Sequence, residues 1–328
     1  MKKGTVCVIV MLLAIVLAGC SKSEQPAARS DSKIRIGGMP ADSDIEFFQK
    51  LAAGMKKAGE DLGITVDIQY TGRSVEKELS LTETFISQGY DGIVLETVDS
   101  EAITGAMQKA ADAGVKFVAV DTVPARPEMA ASTVTSDNFN GGVQAGKLMK
   151  ELLPNGGDVI MVKFKNASIA TDERYQGFEQ EVRGSNIKIV GEVATDGSRD
   201  DAVVKISPML TQFPDIDGIF CTQGDPAIGV LTAVVTAEMQ DTVSIVAYDI
   251  EGEVAAAIKQ DTAIRGGVAQ FPYEMGYLSV VNCYKAIKGE PVDNMVKLPV
   301  LQVSKDQMND FTSDSTGYLA KHGGISIK

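Results

Sequence analysis

Tryptophan is absent from all 328 residues, and histidine occurs once, as His322. A single histidine near the end of the chain cannot build a metal cluster, and it leaves a histidine-based catalytic triad without a framework. No run of carboxylates has the spacing of a calcium loop. The glycines of GGVQAG (141–146) follow no strand at the distance a dinucleotide site needs. No nucleophile with a neighbouring base stands out either, so an enzyme is not expected, and neither is a cofactor. Basic tracts are missing as well. The formal charge is −13, and loss of Lys2 and Lys3 with an amino-terminal signal would take it to −15. That balance argues against a nucleic-acid partner. Cysteine is scarce, at four residues, and two of these lie within the first twenty. Cys221 and Cys283 remain, a weak disulfide signal. They are expected in different lobes, free and buried.

What is present begins with a targeting segment. Lys2 and Lys3 precede an apolar run from Val6 to Leu17, closed by LAGC at 17–20. The run is short for a membrane span and reads as a signal peptide over residues 1–19. LAGC resembles a bacterial lipobox, which implies cleavage before Cys20 and lipid attachment at its sulfur. An ordinary secretory signal with a chance cysteine is the alternative. Residues 20–33 lack apolar periodicity and read as the lipidated tether. The remaining ~300 residues exceed one ordinary core and suit two lobes.

From Lys33 onward, apolar runs alternate with amphipathic stretches. The first series has strands at 34–38, 64–70, 92–96 and 115–120, and helices at 47–62, 76–87 and 101–113. Ser132 to Ser136 is expected as an edge strand. A second series sets strands at 158–162, 187–193, 218–222, 243–248 and 263–270 among helices at 141–153, 173–183, 200–212, 226–238 and 251–260. Such a βαβ rhythm predicts parallel sheets with helices on both faces. Helix 273–288 should return to the first lobe, and a strand over 296–303 should cross back. The expected lobes are therefore 34–136 plus 272–292 and 137–271 plus 293–328, joined near 136–139, 269–273 and 290–297. The fold class is α/β, two doubly wound parallel-sheet lobes on a three-segment hinge. Two apolar strands end alike: VKFVAVDTVP (115–124) in Asp121 and SIVAYDIEG (244–252) in Tyr248 and Asp249. Open parallel sheets bind ligands at that carboxyl edge, so two lobes closing on one polar solute are expected.

Several phrases, in order, carry a family resemblance: DIEFFQKLAAGMKKAGEDLG (44–63), VDTVP (120–124), TSDNFNGGVQAGK (135–147), DERYQGFEQ (172–180), VAYDI (246–250) and GGVAQFPYEMG (266–276). Over residues 33–304 the chain resembles the periplasmic ribose- and galactose-type sugar-binding proteins. The resemblance implies a type I periplasmic binding fold that captures solute for an ABC importer and its membrane permease. It also implies the ligand-contacting positions. Phe47 and Phe48 match the aromatic pair that stacks on a sugar face; packing both into the core is the alternative. Asp121 and Asp249 match the two strand-end ligand aspartates, which could instead cap turns. Gln270 matches a glutamine at the hinge strand, and Tyr248 falls where a second stacking ring is often found. With no tryptophan, the stacking rings must be Phe or Tyr.

Departures from the family pattern bear on the ligand. Asp172 stands where an arginine usually grips the sugar, and Arg174, two residues on, sits at a position that is more often structural. Thr122, Ile45, Gly197 and Gly224 replace an arginine, an asparagine, an aromatic residue and another asparagine. The expected cleft gathers Asp121, Asp172 and Asp249, with Glu96 and Asp225 nearby and Arg174 as its cation. A neutral monosaccharide or polyol is the leading expectation, and an amino sugar or cationic polyol the alternative. The protein is expected outside the cytoplasm, in the periplasm or on the outer face of the cell membrane, held by its lipid anchor as a monomer. A sensory binding protein that presents solute to a receptor would share the same fold and site. An enzyme or a DNA-binding repressor on the same scaffold would need, respectively, catalytic groups or an amino-terminal helix-turn-helix.

Overall fold

The computed structural model describes residues 33–165 and 169–324. The expected signal peptide, Cys20 and the tether up to Ser32 lie outside the described residues, and Lys33 opens them. In the first series, β1 (Arg35–Met39), α1 (Glu46–Leu62), β2 (Thr65–Ile68), α2 (Val75–Ser87), β3 (Gly92–Leu95), α3 (Ile103–Asp112), β4 (Lys116–Val120) and β5 (Ser132–Ser136) follow one another. The second series holds α4 (Asn138–Leu152), β6 (Gly157–Phe164), α5 (Ile169–Val182), β7 (Ile187–Thr195), α6 (Arg199–Gln212), β8 (Gly218–Cys221), α7 (Gly224–Thr236), β9 (Ser244–Tyr248), α8 (Gly252–Lys259) and β10 (Ile264–Ala269). Then come α9 (Pro272–Lys288), β11 (Met295–Leu298), β12 (Leu301–Ser304), α10 (Met308–Ser313) and α11 (Ser315–Gly323).

Local chemistry sets these boundaries. The residues of β3 and β8 are buried throughout, as strands covered by helices on both faces must be. Ser74, Asp137 and Ser198 cap α2, α4 and α6 by accepting hydrogen bonds from backbone amides of the first turn. Gly63 ends α1 in the left-handed conformation, φ 66°.

The strands form two six-stranded sheets of order β11-β5-β4-β3-β1-β2 and β12-β10-β9-β8-β6-β7. The orders are identical once β1–β5 are matched to β6–β10, so the two series repeat one architecture. All pairings in the first sheet are parallel, and only β12 runs antiparallel in the second. Each sheet separates two apolar clusters. Leu51, Val118 and Met275 lie on one side of the first sheet, with Phe85, Ile103 and Phe117 on the other. Ile206, Val230 and Ile258 lie on one side of the second, with Met149, Phe178 and Phe220 on the other.

The chain passes between the sheets three times, at 136–138, at 270–271 and at 299–300. The third crossing differs from the sequence expectation. The stretch 296–303 is not one strand: β11 lies parallel to β5, and β12 pairs with β10. Pro299 lacks an amide donor for a ladder and stands at the break. Residues 295–298 therefore belong with the first sheet rather than the second lobe, and β5 is covered by β11 instead of forming the edge. The tail helices α10 and α11 bury Met308, Phe311, Tyr318 and Leu319 in the second lobe's core.

Candidate functional site

Between the carboxyl ends of the two sheets lies a cleft of about 460 Å³. The first lobe lines it with the loop and helix turn 44–48, Arg73 and Asp121. The second contributes Arg174, Gly197, Arg199, residues 223–226, Ile228, Asp249, residues 251–254 and Gln270.

Asp121 and Asp249 occupy equivalent places in the two repeats. Each follows the last residue of its strand in the left-handed region, at φ 64° and 62°. The amide of Asp121 donates to the Val134 carbonyl at 2.8 Å, and that of Asp249 to the Val268 carbonyl at 3.0 Å. Both residues thus hook onto the next strand of their own sheet while the carboxylate turns into the cleft. Left-handed backbone costs a non-glycine residue about 1–3 kcal/mol and collects at functional sites. Of five such residues among those described, Arg73, Asp121 and Asp249 line this cleft.

Burial raises the Asp121 carboxyl to about 6, against the pull of Arg174 and with repulsion from Asp249 adding to it. Burial also raises Asp249. Arg174, the Gln270 amide and the backbone amide of Gly224 act in the opposite direction. Gln270 ends β10 nearly inaccessible, and its Nε2 donates to Asp249 Oδ1 at 2.5 Å. Phe47 and Phe48 both reach the cleft while packing against the first lobe's core. Their rings meet edge to face at 5.2 Å, and Arg73 lies 5.9 Å over Phe48.

Two of the expected contacts are corrected. Asp172 is exposed on α5 and does not line the cleft. Residues two apart on a helix point about 200° from one another, so the turn that buries Arg174 sends Asp172 outward. That turn is fixed by close packing of α4 on α5: a side chain on Gly142 would strike the Arg174 carbonyl, and one on Gly177 the Phe139 carbonyl. Tyr248 is fully buried rather than a stacking surface, because the Arg174 guanidinium covers its ring at 3.8 Å. Arg174 itself donates from Nε to Asn138 Oδ1 and from Nη1 to the Thr222 carbonyl, both at 2.9 Å, and lies 3.9 Å from Asp249.

Glu96 is buried beside Asp121 but does not line the cleft. Burial, with repulsion from Asp121 and Glu78, raises its carboxyl well above the ordinary range. Arg174 is not alone as a cation, since Arg73 and Arg199 also line the cleft. Arg199 pairs with Asp225 at 3.2 Å and Glu253 at 2.7 Å, and Arg73 with Asp42 at 3.4 Å. Sequence reasoning missed both, together with Gln223 and Glu251. Their positions just beyond β2, β7, β8 and β9, in loops or at a helix start, were the available signal, since such segments gather at the binding edge. The Glu251 side chain is 7% exposed and lies 3.9 Å from Lys50 of the first lobe, which is itself 2.9 Å from Glu46. Burial raises Glu251 to about 8. Cys221 and Cys283 are free and buried, one in each lobe. Among the described residues no helix is long and apolar enough to cross a membrane, and no side-chain group has metal-site geometry.

Two repeated α/β lobes, crossed three times by the chain and facing each other over a polar cleft with an aromatic wall, define a type I solute-binding protein. The chain belongs to the periplasmic binding protein domain family, which matches residues 36–291. It is a family of binding proteins rather than enzymes. The chain is 26% identical over 288 residues to the ribose import binding protein of Escherichia coli, covering 88% of this chain and 96% of the relative. The ribose import binding protein of Bacillus subtilis is 28% identical over 303 residues, covering 91% and 98%. Among solved structures, an ABC transporter solute-binding protein from Actinobacillus succinogenes with bound D-allose superposes with a TM-score of 0.79 at 25% identity. That match covers 85% of this chain and 100% of the other.

Proposed function

We propose that this protein captures a monosaccharide or polyol in the interlobe cleft and hands it to an ABC importer. One observation carries the reading. Among the described residues, the buried side-chain atoms lining the cleft that lack a hydrogen-bond partner are Asp121 Oδ1, Gln223 Oε1 and Gln270 Oε1. All three accept, they come from both lobes, and buried acceptors left unpaired cost free energy. A ligand ringed with hydroxyl donors satisfies them, while its C–H face rests on Phe47 or Phe48. The ribose import relatives point to the same ligand class.

The residues that would contact the ligand are Phe47, Phe48, Asp121, Arg174, Gln223, Asp249 and Gln270. Their division between lobes favours closure by bending at the crossings. The lipobox-like LAGC supports anchoring through Cys20 on the outer face of a membrane, with the binding unit working as a monomer.

A thermal-shift and calorimetric screen of pentoses, hexoses and inositols tests the reading. A hit is expected to raise the unfolding midpoint by mass action and to shrink the radius of gyration in solution scattering. Saturable binding of amino acids or peptides, with no sugar response, would replace it.

A further inference from the structure

The cations of the cleft are already engaged by the protein. Arg174 bonds to Asn138 and Thr222, Arg199 to Asp225 and Glu253, and Arg73 reaches Asp42. Seven carboxylate residues line the cleft against these three arginines. Two of the seven are held by Arg199. Asp249 has Gln270 within hydrogen-bond range but Arg174 only at 3.9 Å. Asp121 has one oxygen with no partner, and Glu251 faces a lysine at 3.9 Å that sits closer to Glu46.

The amide of Gln270 is oriented by this charge. Its nitrogen must face the Asp249 carboxylate, so its oxygen, in a side chain 3% exposed, is left as a further acceptor. Hydroxyl groups could donate to all these atoms, but they bring no charge to offset three half-buried acidic groups. A cation does both, and charge-assisted hydrogen bonds are roughly twice as strong as neutral ones.

We propose that the ligand is an amino sugar, its ammonium seated among Asp121, Asp249 and Glu251 and its hydroxyls on Gln223 and Gln270. This rests on the sugar-binding reading above and narrows it. Burial, with repulsion from Asp249, raises Asp121 to about 6 and Glu251 to about 8, and an ammonium beside them would favour their ionised forms. A sugar phosphate or sugar acid would add a further negative charge where, among the described residues, the cleft's three arginines are already paired, so anionic sugars fall outside the proposed class.

Matched titrations decide the matter: glucosamine, galactosamine and mannosamine, each against its neutral parent and its N-acetyl derivative, near neutral pH and low salt. At least one amine is expected to bind about tenfold more tightly than both neutral counterparts. Glu251→Gln and Asp121→Asn are each expected to reduce that ratio about threefold or more. Binding of a neutral parent as tight as that of its amine would overturn the amino-sugar proposal and leave sugar capture standing. A ratio unchanged in both variants would also overturn it. No response from amines, parents or derivatives would overturn this proposal, and sugar capture would fall with it only if pentoses and inositols gave no response either.

Discussion

The guanidinium of Arg174 lies over the ring of Tyr248, 3.8 Å from its centre, with both side chains buried. The tyrosine that sequence reading offered to the ligand serves the arginine instead. Arg174 is thereby held level with Asp249 and tied through Asn138 to the strand leaving the first lobe, since Asn138 Nδ2 donates to the Ser136 carbonyl at 3.2 Å. One side chain links the pocket of the second lobe to the first crossing between lobes.

Arg174→Met should therefore harm folding as well as binding. It strips Asn138 and Thr222 of a buried donor and removes the cation nearest Asp249. Each buried acceptor left without its partner costs about 1–3 kcal/mol. Denaturant unfolding of the unliganded protein is expected to lose about 3 kcal/mol, and a loss below about 1 kcal/mol would show that the arginine is a contact residue without a structural role.

Asp249→Asn should separate binding from stability. Asparagine tolerates the left-handed backbone that Asp249 adopts at φ 62°, and it removes a buried charge. Affinity for the cognate sugar is expected to fall about 100-fold, the equivalent of one or two charged hydrogen bonds. The unliganded midpoint should hold or rise. A midpoint several degrees lower with affinity intact would reverse the assignment.

The pH dependence of the unliganded protein follows from Asp121 and Glu251. Burial raises both above their ordinary values of 3.8 and 4.5, to about 6 and about 8. The folded state then holds protons that the unfolded chain has released. Their contribution to stability is full below about pH 4 and is lost as pH rises through 6 for Asp121 and 8 for Glu251. Each group can contribute a slope of at most about 1.4 kcal/mol per pH unit. Lys50, Glu46 and Asp249 are the charged groups facing Glu251. Thermal midpoints of Glu251→Gln, measured between pH 5 and pH 8, should fall less steeply than those of the parent. Parallel curves would mean that Glu251 is ionised throughout.

Cys20→Ser tests the anchor. The variant should leave the membrane fraction for the soluble one and bind sugar with unchanged affinity, because among the described residues the pocket draws on nothing before Asp44. Fractionation followed by titration checks both halves. Membrane retention of the variant would place the anchor elsewhere.

The sequence by itself determined the alternation of apolar runs and amphipathic stretches, and with it two parallel sheets and their carboxyl edges. It determined Asp121 and Asp249 as cleft residues for the same reason: a strand's end places its next side chain at that edge whatever the rest of the fold does; Gln270 was legible through the family resemblance. The aromatic pair Phe47 and Phe48 was legible only through the family resemblance of the DIEFFQK phrase. Tertiary structure alone decided the rest. Whether Asp172 or Arg174 turned inward depended on how α4 and α5 meet at Gly142 and Gly177, a contact between segments more than thirty residues apart. Whether Tyr248 faced ligand or arginine depended on that same turn. Arg73, Arg199 and Glu251 entered the cleft only because loops from both lobes converge there. The last crossing moved to Pro299 because β11 found its partner in β5, some 160 residues earlier. Local periodicity fixes which face of an element is apolar; it carries no information about which distant element that face will meet.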